Sequence, residues 1–144
     1  MKALYDTSVL IAALLVEHPN HTAALSRLEL ARRGEVRGYL STHSLAELYS
    51  VMTRLPPPLR VTPKEAVVIL TDLTKYVEPV PLVANDYQRA IELMTQLNLP
   101  GGGIFDAVIA QAALKAGVDH LMTFNAKDFV RLGKEISTLV RVPE

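Results

Sequence analysis

The amino-acid sequence predicts an α/β domain with a mainly parallel central sheet of about five strands flanked by helices. Three observations point there. Short apolar runs alternate with longer amphipathic runs along the chain, so successive strands need crossover connections. The 144 residues are 49% hydrophobic, enough to bury the core of one domain spanning positions 1–144. No repeat or low-complexity tract breaks the alternation, and Pro56-Pro57-Pro58 and Gly101-Gly102-Gly103 read as loops within that domain.

The elements follow in order. Ala3-Leu4-Tyr5 is a short strand, and Thr7 or Ser8 caps an apolar helix running to about Leu15. His21 to Arg33 is a helix that stops near Gly34. Gly38 to Ser41 is a second strand, and Thr42 to Leu55 a helix ended by the proline triplet. Pro63 suits a first helical turn, and its helix extends to about Lys75. Val77 to Leu82 carries two prolines, which confines it to a sheet edge. Ala84 to Leu97 and Phe105 to Ala116 are helices, the second capped by Gly117. His120 to Thr123 and Thr138 to Val142 are the last strands.

Composition excludes several classes of function. There is no cysteine, so disulfide scaffolds, thiolate zinc sites, Fe–S clusters and thiol nucleophiles are ruled out. Fifteen basic residues balance fifteen acidic ones, which excludes a uniformly basic nucleic-acid coat but allows a local basic face. The longest apolar run, Val9 to Val16, falls far short of the roughly 20 residues of a membrane helix. Asp6 stands where the apolar core of a signal peptide would begin. A cytoplasmic protein is the expectation, with no membrane partner.

Parallel α/β sheets bind ligands beyond the carboxyl ends of their strands. Those ends carry Asp6-Thr7-Ser8, Thr42-His43-Ser44 and Thr123-Phe124-Asn125. Glu47 follows in the helix after the second strand, Asp106 opens the alanine-rich helix, and Asn125 and Asp128 follow the fourth strand. Leu45, Leu48, Tyr49 and Met52 share one helical face, with Glu47 off its border; Phe105, Ile109, Ala112, Ala113 and Ala116 share another, with Asp106 at its edge. A carboxylate in such apolar surroundings needs compensation. Several carboxylates brought together need a cation, or one of them takes up a proton. Mg²⁺, an oxygen-seeking ion that keeps waters for its substrate, suits that set. Each residue also has an ordinary reading: Asp6 as a helix cap, Glu47 as a solvated helix residue, Asp106 at a helix start, Asn125 and Asp128 as turn residues.

The chain resembles the PIN-domain family, and within it the VapC-like toxins of toxin–antitoxin pairs. The resemblance is carried by Leu4-Tyr5-Asp6-Thr7-Ser8-Val9-Leu10, Ser44-Leu45-Ala46-Glu47-Leu48, Phe105-Asp106-Ala107-Val108-Ile109-Ala110 and Leu121-Met122-Thr123-Phe124-Asn125-Ala126-Lys127-Asp128-Phe129. Each motif is weak alone; the ordered set, which covers essentially the whole chain, is specific. The resemblance implies a metal-dependent endoribonuclease using Mg²⁺ or Mn²⁺. Asp6, Glu47 and Asp106 match the family's acidic metal ligands. Asn125 or Asp128 fills the fourth position, and Thr7 and Thr123 would orient the carboxylates. It also implies an RNA substrate, a cognate antitoxin protein and a homodimer.

A polyanionic substrate needs positive potential beside the acids. Setting the four acids aside leaves the basic residues in modest excess, with Arg27, Arg32, Arg33, Arg37, Arg54, Arg60 and Lys127 as candidates. The mean hydropathy of +0.20 suggests that some apolar surface meets another chain. Leu28-Glu29-Leu30-Ala31 and the Tyr49–Leu70 region are the expected contacts. Two other readings stand beside the nuclease. A PIN-like module that binds RNA or protein without cutting would fit the Asn125/Asp128 ambiguity. A receiver-like phosphoacceptor would need a second acid beside Asp6, where Thr7-Ser8 stands.

Overall fold

The computed structural model describes residues 1–144. Five strands, β1 (Lys2–Tyr5), β2 (Arg37–Ser41), β3 (Val77–Val80), β4 (His120–Met122) and β5 (Val140–Arg141), form one sheet in the order β3-β2-β1-β4-β5. Every pairing is parallel. The strand carrying Pro79 lies at an edge, as its missing N–H requires.

Eight helices connect and cover the strands: α1 (Thr7–Leu14), α2 (His21–Arg32), α3 (Thr42–Arg54), α4 (Pro63–Leu73), α5 (Ala84–Gln96), α6 (Gly103–Ala116), α7 (Ala126–Val130) and α8 (Lys134–Ser137). Because the side chains of a strand alternate, the sheet separates two cores. Ala3, Tyr5, Leu40 and Met122 face α1 to α4. Leu4, Tyr39, Val80 and Leu121 face α5 to α8. With both faces covered, the central strand is apolar throughout Ala3-Leu4-Tyr5. Helix α1 is buried almost all round, with Val9, Leu10, Ile11, Ala12 and Ala13 in the core, and so cannot be read as amphipathic.

Two local devices hold this frame. Thr62 and Glu65 exchange side-chain-to-backbone hydrogen bonds in a capping box ahead of Pro63, which starts α4. Gly38 lets β2 approach its cover closely: a Cβ there would stand 2.9 Å from the Ala31 Cβ and 3.0 Å from Tyr5 Cε2.

Several expectations need correction. Asp6 caps α1, its Oδ1 accepting the Thr7 N–H at 2.8 Å, in place of Thr7 or Ser8. Helix α6 begins at Gly103, two residues early, because the glycine backbone continues the helical path. Helices α7 and α8 are additional to the elements expected from the sequence; they are too short to show periodicity. Phe105, expected on the apolar face of its helix, is 51% exposed, since neighbouring elements do not extend over it; Tyr49, in the region expected to meet another chain, is 42% exposed. Leu28 and Ala31 are buried, so the Leu28–Ala31 segment offers little surface to a partner. Val67 and Val68 on α4 remain exposed. No helix is long and apolar enough to cross a membrane.

Candidate active site

Strand order reverses at β1: β2 lies on one side and β4 on the other. The crevice beyond the carboxyl ends of β1 and β4 is therefore where this topology opens a site. Asp6 leaves β1 there, and its own N–H donates to the Met122 carbonyl of β4 at 2.9 Å. The Asp6 carboxylate is 3% exposed. Its Oδ2 accepts from the Thr123 hydroxyl at 2.8 Å and from the Ser8 hydroxyl at 2.9 Å. Each hydroxyl is oriented in turn. Asn125 N–H donates to Thr123 Oγ1 at 2.9 Å, and Phe124 N–H to Ser8 Oγ at 3.1 Å. Burial still pushes the Asp6 carboxyl above its ordinary range, against these three donors, with Glu47 adding in the same direction.

Asp6, Glu47, Asp106 and Asn125 line one cavity of about 460 Å³ with Thr7, Ser8, His18 and Asn20. Glu47 reaches it from α3 and Asp106 from the first turn of α6. The Asp106 carboxyl is pushed up to about 7, first by burial and then by the charges of Asp6, Asp128 and Glu47. Arg131 opposes that rise. Asp128 is thus electrostatically part of the cluster from α7, although it does not line the cavity.

The predicted residues divide accordingly. Asp6, Glu47, Asp106 and Asn125 share the cavity, Asp128 stands behind it, and Thr123 holds Asp6. Thr7 differs from expectation. Its N–H serves Asp6, but its hydroxyl donates to Ser44 Oγ at 2.9 Å and thereby ties α1 to α3. The residue orienting Asp6 alongside Thr123 is Ser8. Its spacing from Asp6 (i+2) was the available signal, since such hydroxyls commonly bond back to a nearby Asp at a helix start.

The basic candidates fare differently. Arg32 pairs with Glu29 at 3.2 Å and approaches Asp72 at 3.8 Å, Arg33 pairs with Glu35 at 2.8 Å, and Arg37 lies 3.6 Å from Glu78. Arg37 begins β2, at the end of the sheet away from Asp6. Arg27 lines a different cavity, along the sheet face beside Met1, Ala3 and Tyr5. The cation acting on the acids is Arg131, three residues beyond Asp128, which the sequence reading missed.

A divalent cation of the Mg²⁺ kind needs oxygen donors that converge. No three acidic or imidazole groups stand gathered as a ready coordination shell. The donors are nevertheless all oxygens, and burial, reinforced by the charges of its neighbours, pushes the Asp106 carboxyl up to about 7. Mg²⁺ binds through one or two carboxylates and keeps several waters, so carboxylates spaced around a cavity suit it. In chemistry the residues fit a hard cation held partly through water.

This fold and site define a class, the α/β domains with acids at a sheet crevice, and the comparisons with known proteins name it. The PIN-domain model matches residues 3–135, and the chain belongs to the PIN-domain family. Ribonuclease VapC40 of Mycobacterium tuberculosis is 36% identical over 116 residues, 81% of each chain. Ribonuclease VapC27 of the same species is 35% identical over 108 residues, 75% of this chain and 74% of its own. Among solved structures, VapBC2 from Rickettsia felis, bound to a promoter DNA fragment, superposes with a TM-score of 0.71 at 21% identity and full coverage of both chains. VapC20 of M. tuberculosis, a toxin that cleaves the sarcin–ricin loop, gives 0.69 at 20% identity, over 88% of this chain and 92% of its own.

Proposed function

We propose that this protein is a metal-dependent endoribonuclease and the toxin of a toxin–antitoxin pair, its single PIN domain spanning residues 1–144. The observation that carries the reading is the meeting of Asp6, Glu47 and Asp106 around one cavity, where burial and then the neighbouring charges push the Asp106 carboxyl up to about 7. Its relatives named as VapC ribonucleases support the same reading.

Asp6, Glu47 and Asp106 would hold Mg²⁺ or Mn²⁺, with Asn125 and Asp128 contributing directly or through water. Such a cation, when bound, lowers the pKa of water and offsets charge on phosphoryl oxygens. The chain's own residues do the rest. Thr123 and Ser8 fix the position of Asp6 and favour its ionised form against burial. Arg131 brings positive potential beside the acids, where a phosphodiester must approach. Attack by water needs no protein nucleophile, in keeping with a chain without cysteine.

A cognate antitoxin and a second copy of the chain are the proposed partners. Two of the solved relatives are described as VapBC assemblies bound to DNA. Exposed Val67 and Val68 on α4 supply apolar surface for such contacts.

The test is incubation of the purified protein with total RNA in Mg²⁺, in Mn²⁺ and in EDTA. Discrete cuts leaving 5′-phosphate and 3′-hydroxyl ends, lost in EDTA, are the expected result. RNA that stays intact under all three conditions overturns the proposal.

A further inference from the structure

Beside the acids stands an aromatic pair that holds neither core nor cap. Phe105 immediately precedes Asp106 on α6, and His43 lies one turn before Glu47 on α3. Their rings stack at a centroid distance of 5.4 Å with only 8° between the planes. His43 Nε2 is also 3.8 Å from Glu47 Oε2. The imidazole therefore bridges the phenyl ring to the acid cluster.

The periodicity of α6 would bury Phe105, yet half of its surface meets solvent. An exposed phenyl ring forgoes the gain of burying its area. One face lies on His43, and the ring area left exposed is open to a ligand. A flat apolar face at the edge of a phosphodiester-cutting site matches the face of an unpaired nucleobase, since every base has a π-face and single-stranded RNA is commonly recognised by stacking.

We infer that Phe105, backed by His43, is the platform on which an unpaired base next to the scissile phosphodiester stacks. This rests on the nuclease reading above and adds to it the residue that takes the base flanking the cut. The stack fixes the nucleotide's register, so that its phosphate falls toward Asp106 and Glu47. His43 is a positioning residue that holds the Phe105 ring parallel.

The experiment uses an oligonucleotide spanning a cut site mapped in total RNA, with 2-aminopurine at the nucleotide flanking the cut. Phe105→Leu should raise KM about tenfold, with most of the effect in KM rather than kcat, and Phe105→Tyr should restore it. In an Asp106→Asn background, binding should quench 2-aminopurine fluorescence with Phe105 or Tyr at this position and fail to quench it with Leu. Annealing the oligonucleotide into a duplex should abolish the quench. If wild-type protein cuts while Phe105→Leu keeps the same KM and quench, the platform is wrong and the nuclease reading stands. A variant that changes only the sedimentation of the protein would assign Phe105 to a protein interface and overturn the inference. If the wild-type protein cuts no RNA, both fall together.

Discussion

The Thr123 hydroxyl donates to Asp6 Oδ2 at 2.8 Å, closing the crevice between the carboxyl ends of β1 and β4. Both residues are buried, and the Thr123 oxygen also accepts the Asn125 N–H. One hydroxyl thus orients an acid from the first motif while anchoring the turn of the last. Thr123→Val keeps the shape but leaves the Asn125 N–H without its acceptor and Asp6 with one hydroxyl fewer. An unsatisfied buried group costs about 1–3 kcal/mol. Cleavage should fall at least tenfold while circular dichroism stays unchanged. Full activity in this variant would show that Asp6 needs no such orientation.

Asp6→Asn and Asp106→Asn should each abolish RNA cleavage with the fold retained. Each keeps the side-chain shape and removes a charge from a repelling set. The metal-free variants should therefore melt no lower than the wild type. Cleavage assays and melting curves on the same preparations check both halves.

The pH dependence of stability follows from Asp106. Its carboxyl keeps a proton up to about pH 7 in the folded chain, against 3.8 for an ordinary aspartate side chain. Between those values unfolding releases a proton, so stability is greatest at low pH and declines as pH rises through the window. Asp6, shifted the same way, adds to the decline. Because Asp106 is only partly buried, solvent screening reduces the effect to on the order of 1 kcal/mol, or about 3 °C in Tm. The Tm of EDTA-treated protein should drop by that amount from about pH 5 to about pH 8, and Mn²⁺ should restore it at the higher pH. A flat profile would mean that neither burial nor its neighbours hold a proton on Asp106.

Arg131 is the cation nearest in effect to the acids. Arg131→Gln should weaken RNA binding without changing which sites are cut. It should also lower the slope of log K against log salt by about one phosphate contact. Anisotropy titrations at several salt concentrations measure this. An unchanged slope removes Arg131 from the substrate path.

Gly38→Ala tests the frame. The new methyl would meet Ala31 Cβ and Tyr5, both parts of a packed core. Overpacking of this kind costs about 1–3 kcal/mol. Urea denaturation should show a lower midpoint with an unchanged m-value.

Much of this protein was legible in the order of its residues. Strands and helices alternate in the sequence, and right-handed parallel connection is nearly the only way to join them, so the sheet followed. Pro79 placed its strand at an edge for want of an N–H. Asp6, Glu47, Asp106, Thr123, Asn125 and Asp128 stood out because carboxylates and hydroxyls at strand ends and in apolar helices need a reason to be there.

Tertiary structure alone decided the rest. Periodicity reports which residues share a helical face, but not whether another element covers that face, so Phe105, on the apolar face of α6, stands exposed against expectation. Local spacing cannot show which hydroxyl turns toward which acid, so Ser8 took the role expected of the Thr7 side chain. Nor can it tell a paired surface arginine from one beside a cavity, which is why Arg131 emerged only with the fold. Chain order sets what each segment wants to bury; the contacts between distant segments determine what remains open to chemistry.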